Sequence, residues 1–185
     1  MSSAHNSDIY RPFSVPHYRQ AAPKACALHH LLVLQTTVDE LPESLQAFVR
    51  DLPRPILLSA RSEGFDKHLD TLLYAAPIGS HLYVLGDEAF LWRVHVTAQG
   101  AGMLSEEIDL IDCGPAQRRV FCVHCGLIQD APAVAQLNCT GCQVQLGVRE
   151  HFSKRLGAYM GVCENPDQAY AQVQRTGLQQ GEVQP

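Results

Sequence analysis

Two Cys-x-x-Cys pairs stand out in the chain, Cys122-Val123-His124-Cys125 and Cys139-Thr140-Gly141-Cys142, with thirteen residues between them. Each pair can close a tight knuckle and the connecting loop can fold back, so the spacing brings four thiols within reach of one tetrahedral centre. Thiolates coordinate only after losing their protons, and an unfolded chain cannot organise them, so metal affinity at such a centre is also folding energy. Four sulfurs with no open position predict a closed structural site, with zinc as the expected ion. Iron in the same cage is the alternative, and two disulfides are a further one. Cys122, Cys125, Cys139 and Cys142 are therefore the candidate metal ligands, and no residue is assigned a catalytic or cofactor-binding role. Gly126 suits the first knuckle, because positive φ there turns backbone amides toward the sulfurs. The second knuckle is less regular, with Gly141 inside it and Gln143 after it. His124 is assigned to the knuckle surface, and Cys26, Cys113 and Cys163 are read as buried or idle thiols.

A chain of 185 residues and 20.4 kDa can hold one moderate domain plus a small appended module that a metal would stabilise. Hydrophobic residues make up 46% and charged residues 18%, far from the disordered corner of composition. A formal charge of -5 argues against a dedicated nucleic-acid binder. No apolar run has the length of a bilayer crossing, and Met1 to Arg11 lacks a basic-then-apolar signal pattern, so a cytoplasmic location away from membranes is expected.

The elements that must position the knuckles follow from periodicity. Residues 1–27, with Pro12, Pro16 and Pro23, predict an extended N-terminal arm. Residues 28–117 predict an α/β domain. Leu28 to Val33 fits a first strand, Leu41 to Val49 a short helix, and Ile56-Leu57-Leu58 another strand. Phe65, Leu69, Leu72 and Leu73 then recur at helical spacing, followed by an apolar strand from His81 to Leu85. Asp87 is a plausible N-cap for a helix whose stripe carries Phe90, Val94 and Ala98, leaving Trp92 and His95 off it, and Ile108 to Ile111 fits the last strand. Strands alternating with helices predict a small parallel sheet with crossover helices. Residues 118–147 form the expected zinc ribbon. Phe152, Leu156, Tyr159 and Met160 at helical spacing predict a C-terminal helix over 148–165, with Glu150 four residues before Lys154, and 166–185 is expected to be a loosely ordered tail.

The stretch Leu82-Tyr83-Val84-Leu85-Gly86-Asp87-Glu88-Ala89-Phe90, running on to Ala101-Gly102 and Glu106-Glu107-Ile108, resembles the last βαβ unit of the NAD-binding half of ferredoxin-reductase-type flavoenzymes. Asp87 stands where those enzymes have proline, and Ser59 to Gly64 has one glycine and a carboxylate in place of a glycine-rich pyrophosphate loop. A more specific likeness joins Arg118-Arg119-Val120-Phe121-Cys122-Val123-His124-Cys125, the second knuckle, and Val148 to Val162. Together these resemble the dimethylamine monooxygenase small subunit (DmmA) family over roughly residues 56 to 165.

That resemblance implies membership of a multi-subunit oxidative N-demethylase, which converts dimethylamine to methylamine and formaldehyde using dioxygen and reducing equivalents. It also implies partners that carry the redox groups: haem in a PAS-like subunit, flavin and an iron-sulfur cluster in a reductase subunit, with a folate-binding subunit as a possible fourth member. This chain would then be a zinc-containing accessory subunit without its own active site. The residues agree with that expectation, since the four-cysteine cage is the single binding apparatus that the sequence displays. No nucleophile pair and no phosphate loop is evident. The basic residues Arg118, Arg119, Arg149, Lys154 and Arg155 flank the cage, and the stretch from Glu150 to Val162 is the expected interaction element. Competing readings are an electron-transfer protein with iron in the cage, an NADPH-binding reductase component, and a nucleic-acid-binding zinc ribbon.

Overall fold

The computed structural model describes residues 14–18 and 20–169, so most of the expected arm (1–27) and tail (166–185) lies outside the described residues. The structure is mixed α/β, with a parallel sheet followed by a mainly antiparallel one. Four parallel strands, β1 (His29–Leu34), β2 (Ile56–Ser59), β3 (Ser80–Gly86) and β4 (Ile108–Asp112), form the first sheet in the order β2-β1-β3-β4. The return connections are helices α1 (Glu43–Asp51), α2 (Phe65–Tyr74) and α3 (Glu88–Gly100). Because strand order reverses after β2, right-handed crossovers must place α1 on one face and α2 with α3 on the other.

The cores follow that division. Leu31, Val33, Leu82 and Val84 pack with Phe65 and Leu69 of α2 and with Phe90, Val94 and Ala98 of α3. On the opposite face Leu32, Leu34, Tyr83 and Leu85 pack with Phe48 and Val49 of α1. All seven residues of β3 are buried, as a central parallel strand covered on both faces requires. The arm wraps the edge strand β4, since Tyr18 joins the core on the α3 face and Ala21 the core on the α1 face. It is held there by a hydrogen bond from the Lys24 amide to the Tyr83 hydroxyl and by Lys24 Nζ lying 3.6 Å from Asp109.

The second sheet has the order β6-β5-β9-β8-β7, from β5 (Gln117–Cys122), β6 (Ile128–Pro132), β7 (Gln136–Asn138), β8 (Gln145–Ser153) and β9 (Ala158–Cys163). Three of its pairings are antiparallel, and β5 with β9 is parallel. It packs against α3 through Phe152 and Tyr159, which close on Trp92 with ring centroids 4.5 Å (Phe152–Trp92) and 4.9 Å (Phe152–Tyr159) apart.

The expected helix over 148–165 is corrected here: the segment is the β8–β9 hairpin. Phe152 and Tyr159, seven residues apart, imitate two turns of helix but are cross-strand partners. Gly157 reverses the chain with φ 59°, a conformation that suits a turn and would break a helix. Glu150 and Lys154 therefore form no helical pair; Arg149, Lys154 and Arg155 lie on the hairpin, and Arg118 and Arg119 lie on β5. Pro42 is the N-cap residue of α1.

Candidate metal centre

Each knuckle is built by the same local chemistry. After Cys125 the chain turns through Gly126 at φ 79°, and after Cys142 it turns through Gln143 at φ 61°. The Gly126 amide donates to the Cys122 carbonyl at 2.8 Å, and the Gln143 amide donates to the Cys139 carbonyl at 2.9 Å. The Cys122 amide reaches the Leu127 carbonyl at 2.8 Å, as the Cys139 amide reaches that of Val144 at 2.9 Å. The two knuckles thus share one hydrogen-bond pattern, so the irregularity suggested by Gln143 in the sequence is absent from the backbone. Gln143 meets the strain of a left-handed residue by donating its side-chain amide to the Thr140 carbonyl at 3.1 Å.

The strands bring the knuckles together. β5 ends in Cys122, and the loop before β8 carries Cys139 and Cys142. Gln129 on β6 accepts from the Thr140 amide at 2.8 Å and so fastens the second knuckle to the first hairpin. The four Sγ atoms all lie within 4.8 Å of one another. Cys122 and Cys142 are 3.8 Å apart at sulfur, and Cys125 and Cys139 are 3.6 Å apart. A tetrahedral zinc with Zn–S bonds of about 2.3 Å spaces its sulfurs about 3.8 Å apart, so the donor set and its geometry fit such an ion. Cys122 and Cys139 are buried, Cys142 is half-buried and Cys125 is exposed.

The electrostatics of the thiols point the same way. Burial pushes Cys122 up to about 12. Burial also acts to raise Cys139, yet the amides of Cys142 and Gly141 and the neighbouring thiols outweigh it and bring Cys139 down to about 7. Four thiols this close cannot all ionise unless a cation sits among them, and a dication supplies that charge.

The remaining predicted residues are dispersed. His124 lies on the exposed first knuckle and is not part of the cluster, Cys26 and Cys113 lie outside it, and Cys163 packs against the core that holds Cys122 and Cys139 without joining the four sulfurs. A cleft of about 620 Å³ opens at the carboxyl ends of the parallel strands, lined by Gln35, Arg61, Asp87, Arg93 and Cys113 among others. Open parallel sheets commonly bind ligands at such a place. Here the N-terminus of α3 is filled by the chain itself: Asp87 accepts from the Phe90 amide at 2.8 Å and from the Gln35 side chain at 2.7 Å.

Sequence reasoning missed a half-buried polar cluster where the arm, α3 and the second sheet meet. Tyr18 donates to Glu88 at 2.7 Å, Trp92 donates to the Tyr18 hydroxyl at 2.9 Å, and Tyr159 reaches Glu88 at 3.4 Å. Arg118 stacks 4.7 Å over the Tyr159 ring, with its Nε 3.9 Å from Glu88. Desolvation by burial raises the Glu88 carboxyl above its ordinary value. The available signal was α3 itself, which is apolar on more than one face at Phe90, Leu91, Trp92, Val94 and Val96 and so needs a second covering layer.

Residues 119–162, spanning β5 to β9 and both knuckles, match the family model for the C-terminal domain of dimethylamine monooxygenase subunit DmmA-like proteins. The chain belongs to this family of DmmA-like subunits. Among its relatives is the heme-dependent oxidative N-demethylase delta subunit of Ectopseudomonas mendocina (strain ymp). That protein is 41% identical over 179 residues, covering 94% of this chain and 99% of the relative. No solved structure matches the chain. No helix among the described residues is long and apolar enough to cross a membrane.

Proposed function

We propose that this chain is an accessory subunit of an oxidative N-demethylase acting on dimethylamine, in which Cys122, Cys125, Cys139 and Cys142 hold one structural zinc ion. Zinc there supplies a redox-silent cross-link between two loops of the second sheet. The redox groups, haem, flavin and an iron-sulfur cluster, belong on this reading to partner subunits that the chain helps to assemble. The observation that carries the proposal is the sulfur cage on a chain so like a delta subunit along its whole length. The parallel sheet serves as a scaffold, since Asp87 and Gln35 occupy the position where a nucleotide phosphate would meet the α3 amides. Exposed cations on the β8–β9 hairpin, Arg149, Lys154 and Arg155, suit a partner surface.

The test is co-expression with the other subunits of such an enzyme. Cys139→Ser should reduce bound zinc to below about a tenth of a mole per mole, because a zinc site of this class needs its full ligand set. The same variant should fail to co-purify with the partners. Full co-purification of a metal-free variant would remove the cage from any part in assembly.

A further inference from the structure

We propose that the N-terminal arm senses whether the four-cysteine cage is filled, through Glu88, and that a docked arm in turn helps the cage keep its metal. The inference rests on the metal reading above and extends it to a second part of the molecule.

The physical route is short. Cys122 and Arg118 lie on the same strand, β5, at its opposite ends. The adjacent strand β9 pairs with it at Val120↔Tyr159 and Cys122↔Gly161, and the Val123 amide donates to the Gly161 carbonyl at 3.0 Å. A metal that locks Cys122 therefore also locks the register that places Tyr159 and Arg118. Both of these close on Glu88 at the first turn of α3, Tyr159 at 3.4 Å and Arg118 at 3.9 Å.

Glu88 then holds the arm. One carboxylate oxygen accepts from Tyr18 at 2.7 Å, and the other is buried without a hydrogen bond, so that its charge is balanced by Arg118. Tyr18 is tied a second time by the Trp92 indole at 2.9 Å. A buried carboxylate that loses its cation is costly to keep buried, because desolvation then goes uncompensated. If an empty cage lets β5 and β9 shift, the nearest relief is to admit water to Glu88 by lifting Tyr18, which carries the arm off the β4 edge. Linkage makes the relation mutual: whatever the metal contributes to arm docking, arm docking contributes to metal affinity.

The experiment uses the full chain loaded with one zinc, and the same chain after zinc removal by a chelator, with metal content measured in both. Arm release is followed by trypsin cleavage after Lys24 and by the fluorescence of Trp92, the sole tryptophan. Zinc removal should speed cleavage by about tenfold and shift the emission to the red, and Tyr18→Phe should weaken zinc affinity by the same factor. Glu88→Ala should bind zinc as weakly as Tyr18→Phe, lose arm protection, and show no further change in cleavage on zinc removal. Cleavage at equal rates with and without zinc would overturn the proposal, as would unchanged zinc affinity in Tyr18→Phe. A chain that takes up no zinc defeats the metal reading as well, an outcome told apart by the metal content alone.

Discussion

Gln143 occupies the position in the second knuckle that Gly126 occupies in the first, and it adopts a left-handed backbone at φ 61°. Such a conformation costs a residue with a Cβ about 1–2 kcal/mol. Part of that is offset by the bond to Thr140, and glycine carries an entropic penalty of its own. Gln143→Gly should therefore stabilise the zinc-loaded chain by about 1 kcal/mol, seen as a melting point about 2–4 °C higher. A lower melting point would mean that the side chain matters more than the backbone. At His95 the sign is set by pH. Its ring is 5% exposed and its Nδ1 has no hydrogen-bond partner, and burial, followed by the charge of Lys154, lowers its pKa below 6.5. The folded chain keeps His95 neutral where the unfolded chain takes a proton. The stability it contributes is thus present above pH 6.5 and lost as pH falls through the depressed value. His95→Phe should gain on the parent progressively in denaturant melts below pH 6.5, and a difference independent of pH would contradict this account.

At the scale of elements, the β8–β9 hairpin decides how the second sheet meets the first. Gly157, at φ 59°, sits so close to α3 that a Cβ would lie 2.9 Å from Val96 and 3.0 Å from the Trp92 carbonyl. Gly157→Ala should cost at least about 1 kcal/mol from the backbone conformation alone, and the contact with α3 adds to it. The signature should be greater exposure of Trp92 to a fluorescence quencher, with zinc retained. Unchanged quenching would show that the hairpin is not seated on α3.

The same hairpin marks where the sequence stopped being legible. Strands β1 to β4 and helices α1 to α3 announced themselves because a buried parallel sheet demands apolar runs, and its crossovers demand helical stripes. Asp87 was readable as a cap because its chemistry is local. The grouping of Cys122, Cys125, Cys139 and Cys142 was readable for the same reason, since knuckle spacing is a short-range constraint. Phe152, Tyr159 and Gly157 were not, because seven-residue spacing fits two helical turns as well as two strands facing across a turn. Only cross-strand pairing, which is not local, separates the two. The Tyr18–Glu88 contact spans seventy positions of the chain and left no local trace.

Across the whole molecule, two sheets share one helix. α3 gives Phe90, Val94 and Ala98 to the parallel sheet and Trp92 to the second, while the arm packs beside β4 through Tyr18, Ala21 and the Lys24–Asp109 pair. Such an arrangement ties a small sheet, whose own core is little more than Val120, Cys122, Cys139, Val144 and Leu146, to a larger body and to the ion expected in its cage. The account turns on that ion. Elemental analysis of the purified full-length chain, with its visible spectrum, tests it most directly: one zinc per chain and no visible absorption is the predicted result. Iron with sulfur-to-metal charge-transfer bands, or cysteines that bind no metal at all, would contradict it.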